Sequence, residues 1–244
     1  IRFSGSGTER IEQVVDEMFP RAGIIRMDSD TTVARQSHEQ KLGQFRSGEA
    51  GILVGTQMVA KGLDFPNVTV VGVVNADVAL HLPDFRARER TFQLLAQVAG
   101  RAGRGPKGGR VIVQTFMPED PSIQAAANHD YECFAKGELP HRKMLRYPPY
   151  GRMVRIICRG RDGDKVEEYV GNLAEAVREV CKEMGDGSQL LGPAPAPVSQ
   201  IRGRHRHHLM IKCPGSRSVH IILEQIDDLL KGPSGVKLLV DVDP

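Results

Sequence analysis

The chain of 244 residues contains no tryptophan and few other aromatic residues, with 4 tyrosines and 8 phenylalanines. Proteins that bind single-stranded nucleic acid through its bases stack those bases on aromatic side chains. This scarcity disfavours a broad stacking surface. A contact with nucleic acid, if the protein makes one, should favour the backbone.

Cysteine is scarce too, and its spacing excludes the common structural roles. The four cysteines lie more than twenty residues apart, with no C-x-x-C pair and no zinc-ligand spacing; they are Cys133, Cys158, Cys181 and Cys213. We therefore expect reduced, mostly buried thiols in a cytoplasmic protein. No apolar run approaches the ~20 residues that span a bilayer, and residues 1–20 lack a signal-peptide pattern, which disfavours membrane insertion and secretion.

An excess of charge of either sign is also missing. Lysine and arginine number 33 against 30 acidic residues, for a net charge of +3, so binding to nucleic acid would require local basic patches. Hydrophobic residues make up 40% and charged residues 26%, which is typical of a globular protein. The length favours two domains.

Residues 1–118 alternate apolar runs with helical patterns. Thr8 is the expected N-cap of an amphipathic helix that Pro20 ends. Two continuous β-branched runs, at 51–55 and 68–74, are typical of strands buried on both faces of a parallel sheet. The remaining predicted elements are strands at 24–27 and 111–116 and helices at 36–46 and 85–103. This βαβ repetition predicts an α/β domain with a parallel sheet.

A second domain is predicted after the turn-prone segment 147–151, which contains Tyr-Pro-Pro. Residues 119–150 would form a helical connector that ends there, and residues 151–244 the smaller domain. Its predicted elements are strands at 153–158, 189–201, 205–213 and 236–242 and helices at 165–184 and 216–230. Their β-α-β-β-α-β order is the ferredoxin-like arrangement of an α+β domain. Three prolines between 193 and 197 suggest an irregular edge strand.

The segment Gln97-Val-Ala-Gly-Arg-Ala-Gly-Arg104 carries the sharpest local signal. On a helix, Gln97, Arg101 and Arg104 fall at i, i+4 and i+7, so one face presents an amide and two guanidinium groups to an anion. The alternative is a solvated basic helix end before a Gly-Pro stop.

A second signal lies in residues 54–66, just after a predicted buried strand. Open α/β sheets place ligand groups at the carboxyl ends of their strands, where Thr56 and Gln57 fall. Thr56 could cap a helix that holds a phosphate, and Asp64 could accept a hydrogen bond from a ribose or orient an arginine. The alternatives are a plain N-cap and a turn residue.

The third signal is a basic stretch without any acidic residue between Asp186 and Glu224. Period two places Arg204, Arg206, His208 and Lys212 on one face of a strand, with Arg202 just before them. Such a stripe suits phosphate contacts, which fix position without reading sequence. The alternative is a solvated edge strand kept basic to prevent aggregation. The histidines form no metal set, and no metal site is predicted in this chain.

Taken in order, these motifs resemble the second motor lobe of superfamily-two helicases, and more narrowly the primosomal replication-restart helicases, over essentially the whole chain. The matching segments are Gly55-Thr-Gln-Met-x-x-Lys-Gly-x-Asp-Phe65, Pro83-Asp-Phe-Arg86, Glu89-Arg90 and residues 97–104. The resemblance implies a RecA-like second helicase lobe followed by a C-terminal DNA- and partner-binding domain. It also implies an ATP-dependent 3′→5′ DNA helicase that recognises stalled or branched replication forks and restarts replication through primosome assembly.

The resemblance also implies roles for particular residues. Arg101 and Arg104 match arginine fingers that reach the ATP phosphates. Gly62, Asp64 and Gln97 match nucleotide-binding positions, and Thr56 matches a contact with the DNA backbone, with Gln57 a further DNA candidate. The basic stripe adds four expected DNA contacts: Arg202, Arg204, Arg206 and Lys212. Four other matching residues are assigned to packing and ion pairing: Phe85, Arg86, Glu89 and Arg90.

Two parts that the resemblance leads us to expect, the first helicase lobe and a zinc module, are missing from the sequence. No G-x-x-x-x-G-K-[ST] phosphate loop occurs, and the only Asp-Glu pair, Asp16-Glu17, lies within a predicted helix. The family's cysteine-rich zinc module is absent as well. We therefore expect the C-terminal part of a larger enzyme, which shares ATP and Mg²⁺ with a first lobe outside this chain and does not hydrolyse ATP alone.

The expected partners are branched and single-stranded DNA, single-stranded-DNA-binding protein and other primosome proteins, with no membrane. Two alternatives remain open. The chain could act without ATP as a fork-DNA and protein-docking module, or belong to a related motor with another substrate, against which the β-α-β-β-α-β domain argues.

Overall fold

The computed structural model describes residues 7–27, 35–56, 65, 67–100 and 108–244, with the backbone alone at 35–38. The chain divides into two compact units, residues 1–134 and 135–244, which are described separately. None of the helices in these ranges is both long and apolar enough to cross a membrane.

The first unit is an α/β arrangement with two parallel strand pairs. Strand β1 pairs with β2, and β3 pairs with β4, both in parallel. This confirms the predicted mixed α/β class with parallel pairing, although the described strands form two two-stranded sheets. The elements are α1 Thr8–Met18, β1 Ile24–Met27, α2 Arg35–Ser47, β2 Ile52–Gly55, β3 Val70–Val73, α3 Asp77–Leu80, α4 Ala87–Ala99, β4 Arg110–Val113 and α5 Pro121–Ala127.

Several predicted details of this unit are wrong. Gly7 rather than Thr8 occupies the N-cap of α1, so Thr8 is the first helical residue. Strand β4 ends at Val113, because the next residues turn away to donate hydrogen bonds to the carboxylate of Asp77. The strands are not buried on both faces, since Val70 is 58% exposed. A β-branched run predicts a strand, but it does not show that both faces of the strand are covered by other elements.

In the described part of the first unit, two small cores pack helices against strands. In one, the Phe92 ring of α4 stacks on Phe134 with the centroids 4.7 Å apart, and Leu95 and Ile123 pack beside them. The other core lies between β1 and α2 and consists of Ile25, Met27, Leu42 and Ala50.

Ion pairs flank the start of α4, as the sequence predicts. The Arg86 guanidinium lies 3.2 Å from the Glu89 carboxylate, and the Arg90 guanidinium lies 2.5 Å from that of Asp84. The assignment of Arg86, Glu89 and Arg90 to ion pairing is confirmed, and Phe85 is half-buried. The helix α4 itself ends at Ala99, earlier than the predicted 103, and residues 101–107 lie outside the described ranges.

The second unit is built on one antiparallel sheet of four strands, with the spatial order β6-β7-β5-β8. Helix α6, Tyr131–Met144, spans the division between the two units. The elements that follow are β5 Arg152–Gly160, α7 Gly163–Met184, β6 Gln189–Ile201, β7 Arg204–Cys213, α8 Ser216–Gln225, α9 Asp227–Leu230 and β8 Val236–Val242. The predicted final helix is thus two helices.

Strand β6 is the irregular edge strand that its prolines predict. Its pairing with β7 shifts register between Leu191 and Ala194 and again between Pro195 and Gln200. A proline has no N–H for the ladder, so each proline in this stretch weakens regular pairing.

Helices cover only one side of this sheet. The Asp162 carboxylate caps α7 by accepting a hydrogen bond from the Lys165 N–H, and Gly185 ends α7 in the left-handed conformation at φ 60°. The apolar side of α7 packs on alternate residues of the central strands, which are fully or almost fully buried: Val154, Ile156, Cys158, Leu209 and Ile211. Because side chains alternate in a strand, the remaining residues face the opposite side. We call this opposite side the open face.

The segment 147–151, predicted as the domain boundary, lies inside the second unit. Gly151 explains why: an added Cβ would lie 2.5 Å from the carbonyl oxygen of Arg146 and 3.1 Å from that of Cys213. The turn is therefore packed against the end of β7. The proline-rich composition correctly indicates a turn but does not reveal that the sheet holds it.

Candidate nucleic-acid interface

The open face carries the basic residues of β7. Leu209, Ile211 and Cys213 are buried beneath the helices, so the alternate residues Arg204, Arg206, His208, Met210 and Lys212 lie on the other side. The predicted period-two stripe is therefore present. Each of these five residues is partly exposed.

Strand β7 is an interior strand, with β6 on one side and β5 on the other. This contradicts the alternative explanation of the basic stripe as an edge strand kept basic to prevent aggregation. Every part of β7 has a neighbouring strand to pair with, so it presents no free backbone edge that positive charge would need to protect.

Neighbouring strands extend the stripe into a basic surface. Arg206 of β7 lies directly opposite Arg159 of β5, and Arg159 lies directly opposite Lys237 of β8. Adjacent strands are about 4.8 Å apart, so three cations stand in one line across three strands. Like charges placed directly opposite each other destabilise a sheet. Such a row therefore costs stability unless a negative charge lies close to it.

Sequence reasoning missed Arg159 and Lys237, although both are exposed. Each lies on a different strand, far from the acid-free stretch that drew attention to β7. Only the register of the sheet brings them beside Arg206. The sequence could have indicated these two residues only if the alternation within each strand had been combined with a correct antiparallel pairing of β5, β7 and β8.

At the other end of the open face, Arg155 is paired with an acidic residue. Its guanidinium lies 2.8 Å from the Asp241 carboxylate. Lys212 places its ammonium over the Tyr147 ring, 4.5 Å from the centroid. On the open face, Arg159, Lys237 and Arg204 lie together at one end, and no salt bridge joins any of the three to a carboxylate within the described part of the chain.

Arg202 lies at the tip of the β6–β7 hairpin, next to this end. Ile201 pairs with Arg204, so Arg202 and Gly203 form a two-residue turn with φ values of 50° and 69°. Turns of this kind favour Asn or Gly, because positive φ strains other residues. An arginine here costs conformational energy, which is consistent with a functional role for its charge.

Arg206 has a structural bond in addition to its place in the basic row. One of its guanidinium nitrogens donates to the Val198 carbonyl oxygen at 3.0 Å, across the bulge of β6. The side chain thereby braces the irregular edge strand. Replacing Arg206 would therefore remove both a positive charge and a structural hydrogen bond. Substitutions at Arg204 and Arg159 test binding more directly.

The open face also perturbs a histidine. Burial, together with the positive charges of Arg155 and Arg206 and the neighbouring His207, lowers the pKa of His208. His208 is therefore neutral at pH 7 in the free protein.

The helical side of the second unit has the opposite charge balance. Acidic residues outnumber basic ones among the exposed residues of α7, α8 and α9. The acidic residues are Asp164, Glu167, Glu168, Glu175, Glu179, Glu183, Glu224, Asp227 and Asp228, and the basic ones are Lys165, Arg178, Lys182 and Arg217, with Lys231 directly after α9. A polyanion would therefore be attracted to one side of this unit and repelled by the other.

Two predicted residues of the first unit can be placed. Thr56 is exposed and directly follows β2, at the edge where the carboxyl ends of β1 and β2 meet, since Met27 pairs with Gly55. Gln97 is partly exposed on α4. The other predicted nucleotide and DNA residues lie outside the described ranges: Gln57, Gly62, Asp64, Arg101 and Arg104.

Comparisons with known proteins agree with this two-part organisation. Residues 5–106 match the helicase conserved C-terminal domain, and residues 143–244 match the primosomal protein N C-terminal domain. The "Replication restart protein PriA" of Synechocystis is 44% identical over 245 residues, covering 100% of this chain and 29% of that protein. Its namesakes in Bacillus subtilis and Treponema pallidum are 42% and 40% identical, and 30% and 36% of their lengths are covered.

The chain thus spans about a third of the length of these relatives. Within that span the resemblance is continuous, because the relatives match from one end of this chain to the other. The chain carries a helicase C-terminal domain followed by a primosomal protein N C-terminal domain, and over its whole length it is similar to a C-terminal portion of the PriA replication restart proteins.

Proposed function

We propose that the second unit binds the backbone of branched DNA at the basic end of its open face. The observation that carries this proposal is the line of Arg206, Arg159 and Lys237 across three adjacent strands. Phosphate groups placed between these cations would relieve their mutual repulsion. Arg202 and Arg204 border the same end and would contact the flanking phosphates.

The contacts expected there are with phosphate rather than with bases. The described part of the open face offers guanidinium and ammonium groups but no cluster of aromatic rings on which bases could stack. Binding should therefore depend strongly on salt and weakly on sequence. This is the behaviour that recognition of a branched DNA by its shape requires.

We further propose that the chain serves as the C-terminal portion of an ATP-dependent 3′→5′ DNA helicase that restarts replication at stalled or branched forks. The family matches and the PriA relatives support this proposal. Arg101 and Arg104 would act as arginine fingers, and Gly62, Asp64 and Gln97 would border the nucleotide. ATP and Mg²⁺ would be shared with a first lobe outside this chain. Single-stranded-DNA-binding protein and other primosome proteins are the proposed partners.

The first experiment measures how salt affects the binding of a fluorescein-labelled forked DNA to the 244-residue chain. Replacing Arg159 and Arg204 by Ala should weaken binding and flatten the plot of log affinity against log salt by about 0.9 for each lost phosphate contact to duplex DNA. The matched control is Lys231→Ala, which removes a cation from the helical side, where Asp228 pairs with it at 2.6 Å. Equal slopes for all three proteins would exclude the open face as the binding surface.

The ATP-independent docking module remains the second candidate, because the basic end of the open face lies wholly in the second unit and needs no nucleotide. ATP hydrolysis by this chain, measured with and without a separately supplied first lobe, separates the two. We expect no turnover from the chain alone and DNA-stimulated turnover from the pair, lost in Arg104→Ala. Turnover by the chain alone would contradict the missing-lobe prediction, and a pair that binds DNA without turnover would favour the docking module.

A further inference from the structure

His208 occupies the next position of the β7 row after Arg204 and Arg206 on the open face. Ile157 of β5 lies directly opposite on one side and Ala194 of β6 on the other, so neither neighbour offers it a charge. The imidazole is partly exposed on the same side as the arginines.

The charged groups that face His208 are almost all cationic. From β7 the facing group is Arg206, and from β5 they are Arg155 and Arg159, which flank Ile157 on the same face. The adjoining His207 lies on the opposite side of β7. The nearest carboxylate on β8 is that of Asp241, which is held by Arg155 at 2.8 Å. Strand β6 brings no titratable side chain to the pair Ala194–His208. A proton on the imidazole would therefore add one more positive charge to a positive surface.

The pKa of His208 reflects this setting, since burial and the surrounding cations lower it and keep the ring neutral at pH 7. A DNA backbone laid along the β7 row would reverse the balance. Each phosphate brings a negative charge that neutralises an arginine and attracts an imidazolium, and a neutral imidazole can supply only a weaker contact.

We propose that His208 is a further phosphate ligand of this surface and that it takes up a proton when the DNA backbone binds. This inference rests on the proposed function of the open face. The proton comes from solvent and forms an N–H bond at the unprotonated ring nitrogen, and no other bond changes. The next position of the row is Met210, so His208 would mark the inner limit of the phosphate path that begins at Arg204.

Proton uptake makes affinity depend on pH with a definite sign. Binding raises the pKa of His208, so affinity increases as pH falls through the interval between the free and bound values. One linked proton changes affinity by at most tenfold for each pH unit. Between pH 8 and pH 6 at constant ionic strength, we expect forked DNA to bind about 5- to 10-fold more tightly at the lower pH.

The experiment follows binding of the fluorescein-labelled forked DNA to the 244-residue chain at pH 6, 7 and 8. The test variant is His208→Gln, which keeps a polar side chain but cannot gain a proton. The control is His220→Gln on α8, because His220 is exposed on the helical side beside Glu224. Wild type and H220Q should show the same pH dependence, and H208Q should lose most of it.

Two further measurements detect proton uptake in the wild-type chain, without any substitution. Calorimetry in two buffers of different ionisation enthalpy should show an uptake approaching one proton per complex near pH 6.5. Proton NMR of the His208 ring, with and without the DNA, should show its titration moving to higher pH on binding. An unchanged titration, or an equal pH dependence in wild type and H208Q, would overturn the inference.

These outcomes are separable from a failure of the proposed function. If the Arg159 and Arg204 variants lose affinity but H208Q keeps the wild-type pH dependence, the open face binds DNA and His208 does not take up the proton. If the arginine substitutions leave the salt dependence unchanged, the proposed surface itself is wrong.

Discussion

The two units bury their apolar residues in different ways. In the second unit, one continuous core fills the space between a four-stranded sheet and its helices. In the described part of the first unit, two separate cores each hold a strand pair to its neighbouring helices. Hydrophobic stabilisation scales with the apolar area removed from water. We therefore expect the second unit to resist local unfolding more strongly than the first.

The larger core of the second unit can compensate for a destabilising row of like charges on its sheet. A line of like charges across three strands costs stability, and the sheet that carries it rests on the larger core. Asp241 offsets the charge of Arg155 at the other end of the same face. The second unit thus combines a continuous core with a surface whose positive charges are concentrated at one end.

The largest expected effect comes from truncating the core of the second unit. Ile156→Ala removes a fully buried side chain of the central strand β5, and this should lower the free energy of unfolding by about 2 to 5 kcal/mol. The comparison is Ile112→Ala in β4, where the side chain is 55% exposed and the change should stay within about 0.5 kcal/mol. Hydrogen exchange of the β5 and β4 amides measures both. Equal losses of unfolding free energy from the two substitutions would show that the Ile112 side chain is buried in solution.

Thiol reactivity should separate the units almost as clearly. Burial raises the pKa of Cys158 and of Cys213 to about 11, and it also raises the pKa of Cys181. Cys133, in the first unit, is exposed. Iodoacetamide at pH 7.5 should modify Cys133 more than about 100-fold faster than Cys158 and Cys213, and also faster than Cys181, because the thiolate is the reactive form.

Mass spectrometry of the intact chain would then show one rapid adduct, absent in Cys133→Ser, and four adducts in urea. A second rapid adduct on the folded chain would mean that the second unit opens more readily than its core suggests.

The sequence predicted the α/β class, the parallel pairing, the irregular β6 and the free cysteines, because each depends on local pattern. Predictions that depend on contacts between distant parts of the chain were wrong. Val70 lies in a run typical of a doubly covered strand, yet its side is exposed. Residues 114–116 continue the β pattern, yet Asp77 draws them out of the strand through a contact 38 residues away in sequence.

The candidate site shows the same limit. The stripe on β7 follows from period two within one strand, so the sequence predicted Arg204, Arg206 and Lys212 together. Arg159 and Lys237 join it only through register, which no single strand reveals. Tyr147 in front of Lys212 and the bond from Arg206 to Val198 also depend on tertiary packing. The roles of Arg101, Arg104, Gly62 and Asp64 stay predictions.

A buried carboxylate gives the first unit a pH-dependent weakness. Asp77 is buried, which acts to raise its pKa, but hydrogen bonds from the Thr115 hydroxyl at 2.7 Å and the Phe116 N–H at 2.9 Å outweigh burial and lower it. A lowered pKa stabilises the folded state above the unfolded value and loses that contribution as pH falls through the folded value. The first unit should therefore weaken below about pH 4.

Asp77→Asn should cost about 1.5 to 3 kcal/mol at pH 7, since hydrogen bonds to a charged acceptor are replaced by weaker ones. Its effect should fade as the pH falls below about 4, because the wild type then begins to lose the same charge. Exchange of the amides at residues 113–117 reports the change, with the exposed Glu119→Gln as a neutral comparison. A cost that stays constant from pH 7 to pH 3 would show that the shape of the side chain matters and its charge does not.

The smallest expected effect compares one and the same substitution in both units. Gly43 in α2 and Gly171 in α7 each lie within a helix, and an added Cβ would meet nothing within 4 Å at either position. Alanine should therefore stabilise each helix by about 1 kcal/mol, the intrinsic difference between the two residues. In α7, which packs on the continuous core, this gain should slow exchange throughout the second unit. In α2, which borders only a small core, it should slow exchange of that helix alone. Equally widespread protection from Gly43→Ala would show that the two small cores of the first unit unfold as one.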